Sequence, residues 1–303
     1  MRAAPPHRAR PAPASGGGPT PWMAAPALVL FGLFALVPLA GVAVLSFASW
    51  DGLGAPRWAG ADNWARAAGD PVTREAVWLT VKLTVLCYLF QAPVSLLLGV
   101  YTATRTRHRE VLAVLYFLPL LFSSAAVALT FKGLLDPNFG LGAALDLPLL
   151  ARDWLGDPDL ALGVVVFVVG WSFIPFHALL YQGGVRQIPA SLYEAARIDG
   201  ASAPAQFLHI TLPQLKYTIV TSSTLMLVGS LTYFDLVFVL TAGGPGGATR
   251  ILPLDMYLTG FRSYDMGQAS AIGVVLVAVG LALALGLNRL TGSHRMESRQ
   301  EGA

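Results

Sequence analysis

Six stretches of this chain are apolar for long enough to cross a lipid bilayer: 22–47, 76–104, 111–131, 160–182, 215–241 and 267–290. That pattern narrows the possible folds more than any other. A spanning helix needs about 20 mostly apolar residues, and it must satisfy its own backbone because lipid offers amides no partners. Only 12% of the 303 residues are charged, half of what a soluble domain carries. The first run exceeds the roughly 7–15 residues of a signal-peptide core, so it reads as a retained span. The expectation is an all-α integral membrane protein with six transmembrane helices in one domain, 22–290. Flanking it are a Pro-, Ala-, Gly- and Arg-rich tail at 1–21, expected to be disordered, and a short tail at 291–303.

Charge sets the expected orientation. With both termini in the cytoplasm, the inner segments hold twelve of the twenty Lys and Arg and five of the seventeen acids. The outer segments then hold seven cations and eleven acids, which is the bias expected of cytoplasmic loops. The single cysteine, Cys87, excludes an internal disulfide and any cysteine-built metal cluster. Lys82, Lys132 and Lys216 are the only lysines and none follows a glycine, so no phosphate-binding loop can form. No histidine pair has H-E-x-x-H spacing. Nothing points to a catalytic residue, a metal site or a nucleic-acid partner. Pro26, Pro38, Pro93, Pro119 and Pro175 fall in or near spans and are expected to kink helices there.

The segment 188–215 reads IPASLYEAARIDGASAPAQFLHITLPQL. Ser191 and Glu194 have capping-box spacing, Gly200 suits a left-handed helix end, and Ser202 with Pro204 opens a second short helix. Pro213 marks the entry to the fifth span. The expected product is a helix–turn–helix at the cytoplasmic face, with Glu194, Arg197 and Asp199 available for charged contacts and small residues at Ala195, Ala196 and Ala201. An ordinary amphipathic surface element and a docking lever both fit.

Glu194-Ala195-Ala196, Asp199-Gly200-Ala201, Phe207, Ile210 and Leu212-Pro213 resemble the EAA loop of binding-protein-dependent ABC importer permeases. Further segments, including FDLVFVLTAGGPGGAT at 234–249, resemble the first permease of the carbohydrate-uptake branch of that family, across nearly the whole chain. The resemblance implies a permease-like bundle with a cytoplasmic coupling helix, formed by these ten residues, that transmits motion from a separate ATPase. It also implies a second homologous permease, an ATPase dimer that binds ATP and Mg, an extracytoplasmic solute-binding protein, and a small sugar as cargo in a bacterial cell membrane. The Gly243–Gly247 loop would lie on the side that meets the binding protein, or is simply a turn.

Polar and aromatic side chains at middling depth are candidates for the substrate pathway: Ser124, Trp171, Phe173, Phe176, Ser230, Tyr233 and Asp235. Ser230 and Tyr233 are three apart and would share a helix face. These positions are similar to those lining the sugar cavity of the maltose-type permease, although Leu120, Phe173 and Gly229 differ in character. Each aromatic also fits plain helix packing. Asp235, the one acid well inside a span, either holds helix geometry or touches substrate or binding protein. Lys82 can snorkel to an interface, and His177 reads as a satisfied interior histidine. A gradient-driven transporter and a non-transporting membrane scaffold are the alternatives.

Overall fold

The computed structural model describes residues 21–104 and 106–291. The expected tails lie outside these residues except at Pro21 and Thr291. We number the principal helices α1 (Trp22–Leu45), α2 (Asp62–Gly69), α3 (Pro71–Ala103), α4 (Arg107–Phe117), α5 (Ser124–Leu134), α6 (Pro158–Arg186), α7 (Ala190–Ile198), α8 (Lys216–Gly229), α9 (Phe234–Thr241), α10 (Leu252–Tyr257) and α11 (Met266–Thr291). Short strands β1 (Ala48–Ser49) and β2 (Arg57–Trp58) pair antiparallel between α1 and α2.

Among the described residues, four helices are long and apolar enough to span a membrane alone: α1, α3, α6 and α11. Two expected spans are broken instead. The run 111–131 bends by 101° between Leu121 and Ser124, and 215–241 bends by 49° at Tyr233. The first break has local causes. Pro119 sits in a 3-10 turn, Leu118–Leu121, and Phe122 and Ser123 are extended. Ser123 Oγ then accepts the Ala126 amide at 3.2 Å, which starts α5 as a new helix. At the second break, a 3-10 turn at Ser230–Thr232 runs into Tyr233 at φ −73°, ψ 38°.

The interior contacts give the direction of each helix. Phe90 abuts Gly170, Gly99 abuts Ala178, and Gln182 Nε2 donates to the Thr102 carbonyl at 2.9 Å. The order is the same along both helices, so α3 and α6 run parallel. The chain between them must therefore pass from one end of the bundle to the other, and the bent α4–α5 pair belongs to that single crossing. Thr84 meets Ser230 at 2.7 Å and Tyr88 meets Ser223 at 3.0 Å, so α8 runs antiparallel to α3. With each bent pair taken as one span, the crossings number six.

These prolines are accommodated in four ways. Pro93 and Pro175 lie inside unbroken helices. Pro38 and Pro213 each follow a π turn, Gly32–Leu36 and Phe207–Thr211, which widens the helix where proline leaves the preceding turn's carbonyl without its donor. Pro119 belongs to the break, and Pro26 sits in a first helical turn.

The main core lies toward the end that carries the Gly243–Gly247 loop. Leu83, Val165, Val168, Leu236, Val237 and Leu240 are essentially inaccessible there. Lipid tails are as apolar as these side chains, so close packing must hold the helices together. Gly99 illustrates it: a Cβ there would stand 2.6 Å from the Ala178 carbonyl and 2.7 Å from Tyr181 Cβ. Gly99→Ala should cost about 1–3 kcal/mol through overpacking and lower the unfolding temperature in detergent. An unchanged melting curve would mean that α3 and α6 separate freely. At the helix start, Asp157 caps α6 by accepting the Asp159 amide at 2.9 Å. That amide, with Arg152 beside it, holds the Asp157 carboxyl below the usual carboxylate range.

Candidate coupling loop and transport pathway

The α7 segment forms the expected helix–turn–helix, with one correction at its start. Pro189 occupies the N-cap position, its fixed backbone leading into Ala190, and no side chain caps the helix. Ser191 is therefore already helical and Glu194 lies a turn further in, so the Ser191–Glu194 capping box does not form. The other end follows the expectation. Gly200 has φ +77°. The Ala201 amide reaches back to the Ala196 carbonyl at 2.8 Å and the Gly200 amide to Arg197 at 3.1 Å, the bond pair of a Schellman ending. No atom lies within 4 Å of a Cβ built on Gly200, so conformation and not space requires glycine there. Ser202 stands at the next N-cap but lends only its backbone carbonyl, to Gln206 at 2.9 Å. Pro204 is in that helix's first turn.

Two side-chain bonds brace the hairpin. Tyr193 meets Thr211 at 2.9 Å, and Gln206 Nε2 donates to the Ala201 carbonyl at 2.8 Å. Glu194, Ala195, Asp199, Gly200 and Pro213 are exposed, whereas Ala196, Ala201, Phe207, Ile210 and Leu212 are half-buried. Ile198 is 87% exposed, a large apolar side chain turned fully outward. Behind α7 a cavity of about 440 Å³ separates it from the ends of α3 and α6, lined by Val100, Thr104, Ile188, Tyr193 and Phe207. The element stands off the bundle and is attached at its ends.

The pathway candidates do not form one lining. Phe173 stacks on Tyr233, with ring centroids 5.2 Å apart. Ser230, 1% exposed, bonds Thr84 and donates to the Leu227 carbonyl, both at 2.7 Å. These three gather at the α8–α9 break. Ser230 and Tyr233 do not share one helix face as the spacing suggested, because the 3-10 turn and the bend lie between them. Both are buried in this conformation. Trp171 lies edge-on to Phe131 at 5.2 Å and Phe176 edge-on to His177 at 5.2 Å, each with over a third of its surface exposed. Ser124 is half-buried at the start of α5, next to the capping Ser123. Asp235 is exposed in the first turn of α9, where a carboxylate favours the helix dipole, and among the described residues it has no side-chain hydrogen bond or ion pair. His177 is buried and meets Ser222 at 3.0 Å, a satisfied interior histidine as expected. Lys82 is exposed.

The sequence reading passed over a polar seam between α3, α6 and α8. It comprises the Thr84–Ser230, Tyr88–Ser223 and His177–Ser222 contacts, with Gln91 buried among them. Hydroxyl and amide residues inside apolar runs were the available signal, since polar groups within a span face the protein.

At the opposite end the glycine-rich loop is held firmly. Gly243, Gly246 and Gly247 have positive φ, and Thr249 Oγ1 donates to the Gly244 carbonyl at 2.7 Å. The fully buried Asp255 accepts from Arg250 at 2.7 and 2.9 Å and from Thr73 at 2.9 Å. Between this loop and α3 lies a cleft of about 410 Å³ that includes Pro71, Glu75, Pro158, Pro245 and Arg250.

The described residues thus form a bundle of membrane helices, two of them broken, with a helical hairpin standing off one end. Residues 95–293 match the family of binding-protein-dependent transport system inner membrane components, and the chain belongs to that family. It is thus an integral membrane protein and a permease subunit of an ABC importer, with ATP hydrolysis carried out by a separate subunit. The "Probable ABC transporter permease protein YurN" of Bacillus subtilis (strain 168) is 34% identical, over 86% of this chain and 91% of that protein. The arabinooligosaccharides transport system permease protein AraP of the same organism is 29% identical, over 90% of this chain and 88% of that one. A chain of a bacterial ABC transporter involved in import of the acidic polysaccharide alginate shares the fold. Its TM-score is 0.79 at 22% identity, covering 90% of this chain and 94% of that one.

Proposed function

We propose that this permease carries a carbohydrate, received from an extracytoplasmic solute-binding protein, and that it works as a heterodimer with a second homologous permease on a dimeric ATPase. The cargo class is supported by relatives named for sugars, among them arabinooligosaccharides and lactose. A solved alginate transporter of the same fold, in complex with a pentasaccharide-bound periplasmic protein, supports the delivery route. ATP and Mg bind the partner ATPase. Both termini face the cytoplasm of a bacterial cell, so α7 meets the ATPase and the Gly243–Gly247 loop meets the binding protein.

The observation that carries the coupling role is α7 itself: a short helix, closed by Gly200 and standing off the bundle, with Glu194, Ala195 and Asp199 turned outward. Ala195, Ala196 and Ala201 let a partner backbone come close. Phe207, Ile210, Leu212 and Pro213 join the hairpin to α8. Closure of the ATPase pair displaces α7 and shifts the balance between inward- and outward-facing states. Such coupling exists only as a difference in interaction free energy between those states. Affinity purification of the tagged chain from its native membrane should recover a second permease and an ATPase. Glu194→Lys should reduce the ATPase recovered by about tenfold, in line with loss of a desolvated charged contact, while the second permease is retained. Recovery of the chain alone, where a known importer stays assembled, would remove the partner assignments. Full ATPase recovery with Glu194→Lys would remove the docking role of that face.

A further inference from the structure

Gln91 is 1% exposed, yet neither its Nε2 nor its Oε1 has a hydrogen-bond partner of sound geometry. It lies in α3, one turn beyond Cys87, with its carboxamide beside the Cys87 thiol and the Tyr233 hydroxyl. The thiol and the hydroxyl beside it leave the amide without a well-formed bond, a costly state for a buried group, and a leucine would fill the position without that cost. Its surroundings show what the amide is suited to meet. Tyr233, whose hydroxyl lies beside it, stands at the break between α8 and α9. Gly229 leaves room beside that ring, since the Tyr233 hydroxyl, at 3.8 Å, is the only neighbouring atom within 4 Å of a Cβ built there. Phe173 stacks on the Tyr233 ring, with centroids 5.2 Å apart.

We propose that Gln91 is a specificity-determining residue that contacts the transported sugar. When the α8–α9 break opens and Tyr233 moves away, the Gln91 carboxamide becomes the polar lining of a subsite whose wall is the Phe173 ring that Tyr233 now covers. One amide offers a donor and an acceptor side by side, which matches two adjacent sugar hydroxyls. An aromatic face matches the C–H surface of the ring. The inference rests on the carbohydrate reading above and adds a residue from α3, a helix that supplied none of the pathway candidates.

The test uses the purified complex in proteoliposomes, with its binding protein in excess and radiolabelled maltose, lactose and arabinobiose as probes. Gln91→Leu should lower uptake of the preferred disaccharide by about tenfold, because sites built to hydrogen-bond a hydroxyl lose heavily when the partner is removed. The unfolding temperature of the complex in detergent should not fall, since leucine fills the same buried position and leaves no unmet polar group. Gln91→Asn should retain part of the uptake and change the ranking of the three sugars. Equal rates and ranking with Gln91→Leu would overturn the proposal. So would a lower unfolding temperature alongside the loss of uptake, which is the mark of a packing role. If the unmodified complex takes up none of the three and its binding protein retains no glycan from a broad mono- and oligosaccharide array, the carbohydrate reading itself fails and this inference falls with it.

Discussion

Gly200→Val should uncouple transport from ATP hydrolysis. A β-branched residue at φ +77° meets its own backbone, at a cost of about 1–2 kcal/mol for an L-residue in the left-handed region. The empty space around the position cannot relieve this, because the strain is internal to the residue. The two Schellman bonds from Gly200 and Ala201 are therefore lost or weakened, and the end of α7 no longer points in one direction. A shift of roughly 1.4 kcal/mol is a factor of ten, so sugar uptake by the reconstituted complex should fall about tenfold. The complex should still insert and assemble, since the bundle core is remote from this turn. Gly200→Asn is the informative control, because asparagine visits the left-handed region far more readily. Uptake should largely survive that change. Normal uptake with valine would mean that the end of α7 does not have to be fixed.

The second large effect is on stability. Arg250→Met should destabilise the purified chain by about 2–3 kcal/mol. Loss of one partner from a buried ion pair typically costs more, about 3–5 kcal/mol, but the Arg250 side chain is 31% exposed and part of its attraction is already screened by solvent. Asp255 would be left fully buried, with only Thr73 donating to its carboxylate. Combining Arg250→Met with Asp255→Leu should recover much of the loss, since an apolar pair leaves no stranded charge. Thermal unfolding in detergent reads both variants. A single Arg250→Met variant that melts with the wild type would show that the carboxylate finds another partner, and the loop would not depend on this ion pair.

The spans were legible because bilayer thickness makes a demand on composition that needs no tertiary information. The break in the third span was not, although Pro119 was visible. Pro93 and Pro175 were equally visible and break nothing. The difference lies downstream of each proline. Ser123 accepts a bond from Ala126 ahead of it and begins a new helix, whereas Ser95 donates back to the Gln91 carbonyl at 2.6 Å and continues the old one. The same hydroxyl chemistry serves either outcome, and the choice is made by neighbours. The capping box failed for a related reason: Pro189 fixed the start of α7 before Ser191 could act. Gly200 was readable because its requirement is local. The gathering of Phe173, Ser230 and Tyr233, and the presence of Gln91 beneath them, depends on where two helices cross, and no spacing along one helix encodes that.

The parallel contact between α3 and α6 has a mechanical consequence. Three residues, Gln187 to Pro189, separate α6 from α7, and Gln182 and Arg186 bind the last carbonyls of α3 at 2.9 and 3.2 Å. On its other side α7 reaches α8 through a tight turn, a short helix, a π turn and Pro213. A push on α7 would therefore reach the bundle by two unequal routes. The short one leads to α6 and, through those bonds, to α3, while the longer one leads to α8 and the bend beyond it. Motion applied at one end is then felt at mid-depth as a relative displacement of two parts, and the seam between them is where work done by a motor outside the membrane can be turned into a change in what the bundle holds.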